Sequence, residues 1–203
     1  VATPEGYARN PELVINFYNE RRKQLLDVVP NAGHLGVADL ERDFNVTVVT
    51  QNVDNLHERA GSTHVIHLHG ELTKVCSSRD PYNPHFVKEL APEEYEVKLG
   101  DKAGDGTQLR PFIVWFGESV PEIETAIRYV EQADIFVIIG TSLNVYPAAG
   151  LLNYVPRAAE VYLIDPKPVD THVMRPIHVI QKGASEGVKE LKALLTVTQP
   201  PLP

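Results

Sequence analysis

The stretch TVVTQNVDNLHERAGSTHVIHLHGEL, residues 47–72, sets a short apolar run against a cluster of polar side chains, then does so a second time. TVVT runs into Gln51, Asn52 and Asp54; VIHL runs into His69 and Gly70. Runs this short, β-branched and free of alternation suit strands of a parallel sheet covered on both faces. Open sheets of that kind bind ligands beyond the carboxyl ends of their strands, and the polar clusters stand there.

Further runs at 112–116, 134–140 and 161–165, with a weaker one at 177–180, extend the pattern begun by 46–50 and 64–69. Helical segments accompany them, such as VPEIETAIRYVEQA before one strand and SEGVKELKALL at the end. The predicted fold class is therefore α/β, a parallel sheet with helices on both faces. IFVIIG ends in Thr141 and Ser142, and VYLI ends in Asp165. Amide, imidazole, hydroxyl and carboxylate groups are thus delivered to one sheet edge, a set suited to a sugar's hydroxyls and a carboxamide.

Residues 1–45 read as about three helices. Thr3 with Pro4 and Glu5 is a start signal, and Asn10-Pro11 and the Pro30–Gly33 region interrupt the apolar periodicity. Residues 46–72 and 109–196 are expected to form the sheet-bearing lobe, and 197–203 a frayed tail. Residues 73–108, rich in charge, Gly and Pro, form a small inserted module. The net charge of −8 argues against nucleic acid as a partner, since that surface needs clustered Lys and Arg. The single cysteine, Cys76, excludes an internal disulfide framework. With no apolar run long enough for a membrane and no leader pattern, the expected location is cytoplasmic.

Several residues admit two readings. His67 and His69 share a strand face and, with Glu71, are either half of a metal site or one core and one exposed histidine. A histidine at a strand end can also serve as a general base, with Gly70 leaving space for substrate. Gln51, Asn52 and Asp54 are either ligand-binding groups or turn formers opening a helix over NVDNLHERAG. Val14, Tyr18, Arg21, Leu25 and Val28 fall on one stripe of the first long helix, which directs a guanidinium inward. Arg21 either snorkels to solvent, pairs with Glu20 or Glu41, or waits for an anion.

TQNVDNLHERAG, HLHGEL, RPFIVWFGE and GTSLNVYPAA, in this order and at these separations, resemble the sirtuins, the NAD-dependent protein lysine deacylases. The resemblance covers the chain from about residue 1 to about residue 195, and the opening ATPEGYARNPELVINFYNERRKQ is most similar to the bacterial and mitochondrial branch that removes acidic acyl groups. It implies a large Rossmann-like lobe, a small lobe of a helical and a ribbon module, and a cleft between them. His69 and Asn52 would be catalytic, His69 as the base that deprotonates a ribose hydroxyl. Gln51, Asn52, Asp54, His69, Gly140, Thr141, Ser142, Asp165, Gly183 and Ala184 would hold NAD. Val114, Phe116, Gly117, Glu118, Leu143 and Asn144 would pair with the acyl-lysine peptide as strand edges. Tyr18 and Arg21 match the Tyr-x-x-Arg pair that holds the distal carboxylate of succinyl- or malonyl-lysine. The implied reaction transfers the acyl group to ADP-ribose, giving free lysine, nicotinamide and O-acyl-ADP-ribose, with acetyl also accepted.

Three features depart from the family pattern. The Gly-Ala-Gly phosphate loop and first strand would precede Val1, and they are expected to belong to the protein outside these 203 residues. The ribbon's two Cys pairs are reduced to Cys76, with Arg79 where its partner would stand, so no zinc is expected. Tyr82, Phe86, Leu90 and Tyr95 are the candidates to hold that module by packing. Asp165 replaces a common Asn, and its carboxylate still suits two ribose hydroxyls. Three alternatives remain beside the deacylase: a non-catalytic NAD- or peptide-binding module if the phosphate loop is truly missing, a metal-dependent hydrolase on His67 and His69, and an ADP-ribosyltransferase.

Overall fold

Helix signals in the first residues act where the sequence places them. The computed structural model describes residues 1–141, 148–170 and 173–197. Helix α1 spans Pro4–Arg9, with the Thr3 hydroxyl accepting the Gly6 N–H at 2.9 Å. Helix α2 spans Pro11–Leu26, capped by Asn10, and α3 spans Ala32–Asp39, where Asn31 and His34 form a reciprocal capping box. Proline at the first helical position of α1 and α2 fixes φ where no N–H partner is needed.

The remaining elements are β1 (Val48–Thr50), α4 (Leu56–Ala60), β2 (Val65–His67), β3 (Gly70–Ser77), β4 (Lys88–Glu89), β5 (Leu109–Ile113), α5 (Ile123–Val130), β6 (Ile135–Ile139), β7 (Glu160–Ile164), β8 (His178–Ile180) and α6 (Ala184–Val197). The described strands form three ladders, β1-β2, β4-β3-β5 and β6-β7-β8. The last is parallel as expected. The run at 112–116 is different: its strand is β5, ending at Ile113 and paired antiparallel with β3. Both faces of β3 and β5 are largely covered, so their sequences lack the alternation that normally betrays an antiparallel strand. Pro111 is tolerated because β5 is the edge of its ladder.

Contacts divide the chain into two compact units. The first comprises Val1–Val29, Val49–Asn55 and Ile66–Glu122; the second comprises Pro30–Val48, Leu56–Val65 and the described residues from Ile123 onward. In the second, Tyr162, Ile164, Ile180, Val188, Leu191 and Leu195 build the core with Val37 and Leu40. Helix α6 lies so close to β7 that a Cβ on Gly187 would stand 2.2 Å from Ile164 Cγ2. Among the described residues no helix is long and apolar enough to cross a membrane.

The first unit has an apolar cluster of Ile15, Val75 and Val97, joined by Tyr7, Leu90 and Leu109. Polar locks supplement it. Asn19 on α2 binds Val97 twice, Nδ2 donating to its carbonyl at 2.7 Å and Oδ1 accepting its N–H at 2.9 Å. Arg22, 4% exposed, donates to the Leu72 carbonyl, the Tyr95 carbonyl and Asn19 Oδ1. Burial lowers its pKa to about 10, which still leaves it charged at neutral pH.

Arg22 therefore replaces Arg21 as the inward guanidinium of the α2 stripe. At about 100° per residue, a residue four past Tyr18 lies roughly 40° from it and one three past lies roughly 60° away. Tyr18 and Arg22 are buried, while Arg21 is exposed, rests over the Phe17 ring at 4.9 Å and donates to Gln24 Oε1.

A second polar knot ties the two loops of the inserted module. Ser77 Oγ donates to Asp105 Oδ2 at 2.5 Å and accepts the N–H groups of Arg79 and Asp80, while Asp105 Oδ1 accepts the Thr107 hydroxyl. The Ser77 and Thr107 hydroxyls hold the Asp105 carboxyl down at about 2, so its contribution is complete above the ordinary carboxylate range and disappears only as pH falls towards 2. Of the apolar residues expected to hold the module, Leu90 joins the cluster, Phe86 packs beside Gly104, and Tyr82 meets Phe112 edge-on.

Replacing Arg22 by Met should destabilise the protein by about 3 kcal/mol, because three buried acceptors lose their donor. Arg21→Met should stay within about 0.5 kcal/mol. Urea denaturation of both variants distinguishes the two positions; equal losses would contradict the assignment of Arg22 as the structural arginine.

Candidate active site

In the first unit, β1 feeds a tight turn in which the Thr50 hydroxyl accepts the Asn52 N–H at 3.0 Å. His67, buried, donates from Nδ1 to the Asn52 carbonyl at 2.9 Å, since a carbonyl can only accept. This fixes the loop that carries Gln51, Asn52 and Asp54. Gln51 Nε2 and Asn55 Oδ1 are buried without a hydrogen-bond partner. A buried amide group left unpaired costs about 1–3 kcal/mol, so these two atoms are where the turn expects a polar ligand. Asn52 is exposed and Asp54 half-buried.

His69 follows β2 and is half-buried. Burial lowers the imidazole pKa below its ordinary 6.5, only partly offset by a hydrogen bond to the Gln51 backbone. The ring is thus neutral at physiological pH and oriented by one nitrogen, which leaves the other available as a base. Gly70 answers a different need from the one the sequence suggested. Its φ is +87°, and a Cβ there would stand 2.1 Å from the Phe112 carbonyl oxygen. The glycine is required by the close crossing of β3 and β5.

The His69 carbonyl accepts the Val114 N–H at 2.9 Å, and the Ala2 carbonyl accepts the Phe116 N–H at 3.0 Å. Phe116 is 77% exposed, an unusual position for a large aromatic, and Gly117 next to it has φ +89°. The Glu118 carboxylate is committed inward: Oε1 and Oε2 each accept from Arg110 at 3.1 Å, and Oε1 also accepts the Trp115 N–H at 2.8 Å. Burial alone would raise the Glu118 pKa, but the Arg110 guanidinium and the Trp115 amide outweigh it and hold the carboxyl below its ordinary value. Glu118 therefore shapes the loop that displays Phe116.

In the second unit, the parallel ladder presents its groups at the carboxyl ends of three strands. Gly140, φ +63°, ends β6 with its N–H on the Ile164 carbonyl and nothing within 4 Å of where a Cβ would be. Thr141 follows, half-buried; Ser142, Leu143 and Asn144 lie outside the described residues. Asp165 ends β7, its Oδ1 accepting the Lys167 N–H at 2.8 Å. Gly183 stands open just before Ala184, the first residue of the 14-residue α6, whose N-terminal amides favour anionic or hydroxyl ligands.

The Sir2 family model matches residues 1–147. An NAD-dependent protein deacylase from Bacteroides thetaiotaomicron is 83% identical over 195 residues, covering 96% of this chain and 83% of that protein. The chain belongs to the Sir2 family. A solved Sir2 homolog–NAD complex is similar with a TM-score of 0.83 at 34% identity, over 97% of this chain and 76% of that one. A solved Sir2–p53 peptide–NAD+ complex is similar at 0.77 and 26% identity, over 98% and 83%. For this Sir2 family member, the first unit contributes the orphaned amide of Gln51, and the second, taken by itself, contributes the open left-handed turn at Gly140 and the α6 N-terminus.

Sequence reading missed Asn19, Arg22, Arg110 and Trp115, the residues that hold the site's scaffold. Arg110 stands inside β5 and opens the RPFIVWFGE motif, but nothing local in the sequence marks its partners Glu118 and Trp115. Arg22 stood beside the expected Arg21, and the helical geometry separates them.

His69 should titrate below 6.5 in an NMR pH series of its imidazole resonances. A midpoint at or above 6.5 would contradict the buried, backbone-bonded setting of the ring.

Proposed function

We propose that this NAD-dependent protein deacylase prefers succinyl- and malonyl-lysine over acetyl-lysine, with acyl-lysine proteins or peptides as partners. The deacylase reading is carried by one arrangement: the neutral His69 ring, bonded to the Gln51 backbone, next to a Gln51 side-chain amide that lacks a partner. NAD is consumed as co-substrate: the acyl oxygen would bond its anomeric carbon as the bond to nicotinamide breaks, a ribose hydroxyl would then attack the acyl carbon, and one water would complete the release of lysine and O-acyl-ADP-ribose. Gln51 donates to a ribose hydroxyl, Asn52 and Asp54 line the nicotinamide side, and Asp165 takes the adenosine ribose, with Gly140, Thr141, Ser142, Gly183 and Ala184 around the rest. His69 takes the proton of the ribose hydroxyl at its unengaged ring nitrogen. Val114, Phe116, Gly117 and Glu118, with Leu143 and Asn144, shape the peptide-binding edge.

The acyl preference rests on Tyr18 and Arg21. They are three apart on α2, roughly 60° around the helix, with Tyr18 buried and Arg21 exposed, and the Arg21 head lies against the uncharged Phe17 and Gln24. Its charge is thus unneutralised where a carboxylate can approach, and a phenol donor with a planar fork suits one carboxylate.

We also propose that the module 73–108 works without zinc. The one thiol of the sequence, Cys76, is buried, and a single thiolate cannot supply the four ligands of a structural zinc site. The Ser77–Asp105–Thr107 knot joins the loops a metal would join.

In side-by-side turnover with NAD, succinyl and malonyl peptides should exceed the acetyl peptide in kcat/KM. His69→Ala should keep its Tm and lose about a hundredfold in turnover on all three. Arg21→Met should cost succinyl about 1–2 kcal/mol in apparent transition-state binding, and acetyl less; the value is modest because Arg21 is exposed. Equal losses on both acyl groups would remove Arg21 from acyl recognition, and near-normal turnover in a folded His69→Ala variant would remove His69 from the chemistry.

A further inference from the structure

Trp115 is 2% exposed, and its hydrogen bonding runs in one direction. An indole N–H can only donate. It donates to Tyr18 Oη at 3.1 Å, so the phenol oxygen is the acceptor there and the phenol proton is left over. Among the described residues Tyr18 has no acceptor for that proton. Burial raises the Tyr18 pKa, chiefly by desolvation, so the hydroxyl remains a neutral donor.

The indole is itself braced. The Arg110 guanidinium stacks on its ring, 3.7 Å from the centroid, and the Tyr7 ring lies 5.4 Å away. Arg110, 4% exposed, is in turn fixed by both Glu118 oxygens and by the Ile113 carbonyl at 2.7 Å. Glu118 closes the circuit by accepting the Trp115 backbone N–H. Every member from Glu118 to Tyr18 is therefore held by its neighbour, and at the Tyr18 end, among the described residues, the hydroxyl proton has no internal acceptor.

We propose that Trp115 is a positioning residue for acyl selectivity: its indole N–H, braced by the Arg110–Glu118 pair, turns the Tyr18 hydroxyl so that its proton is offered to the distal carboxylate of the acyl group. This rests on the acidic-acyl reading of Tyr18 and Arg21. An acetyl group has no atom to receive that proton, so the orientation matters only for the acidic substrates. Trp115→Phe removes the donor while keeping an aromatic ring for Arg110 to cover.

The test is kcat/KM for succinyl and acetyl peptides in wild type, Trp115→Phe, Tyr18→Phe and the double variant. Trp115→Phe should lower the succinyl value about tenfold, chiefly through KM, and leave the acetyl value within about twofold. The same change in the Tyr18→Phe background should lower succinyl no further. Equal losses for both acyl groups, unchanged succinyl kinetics, or full additivity in the double variant would each overturn the proposal. Unchanged succinyl kinetics in Tyr18→Phe would instead sink the acyl reading itself, and this proposal with it. If Trp115→Phe does not fold, the indole N–H resonance decides: Trp115 is the only tryptophan of the sequence, and Tyr18→Phe should move its signal, whereas an unmoved signal contradicts the hydrogen bond.

Discussion

A buried guanidinium on α2 is the constraint from which the first unit follows. Arg22 carries its charge into the buried side of α2, and it is stable there because two backbone carbonyls and Asn19 receive it. Those carbonyls belong to Leu72, two residues past Gly70, and to Tyr95 in the inserted module. One side chain thus ties α2 to β3 and to a module whose own sequence has little apolar periodicity. Removing it would leave buried acceptors unpaired, which is more costly than losing an exposed ion pair. The Ser77–Asp105–Thr107 knot extends the same solution: short, charge-assisted bonds fasten loops that apolar packing alone covers thinly.

What could be read from the sequence was whatever depends on local chemistry. Thr3-Pro4, Asn10-Pro11 and Asn31 mark helix starts because a cap needs only its own neighbours. The β6-β7-β8 ladder was legible because unbroken apolar runs followed by Gly140 or Asp165 suit a parallel sheet. The pairing of β3 with β5 was not, since both strands are covered on both sides and neither alternates. Arg21 and Arg22 illustrate a finer limit. Both steps from Tyr18 are helical, and a rotation of about 100° between adjacent residues decides which one is buried. Gly70 was rightly singled out, but its reason, a carbonyl 2.1 Å from any Cβ, is tertiary and invisible in the sequence.

The candidate site combines rigid support with a few polar groups left unsatisfied. His67 holds the Asn52 backbone, the Gln51 backbone holds the His69 ring, and Glu118 with Arg110 holds the loop that exposes Phe116. Against that background the unpaired Gln51 amide, the surplus Tyr18 proton and the Arg21 charge stand out as groups prepared for something outside the protein. Such preorganisation places the cost of fixing polar groups in folding and not in substrate binding. The two imidazoles of His67 and His69 both bond backbone, an arrangement that suits loop support and proton transfer.

The central claim, acyl transfer to ADP-ribose at the expense of NAD, is tested most directly by product stoichiometry with a succinyl-lysine peptide. Mass spectrometry of a limited turnover should show one nicotinamide and one O-succinyl-ADP-ribose for each lysine freed. Free succinate formed without nicotinamide release would instead mark a hydrolase and contradict the account.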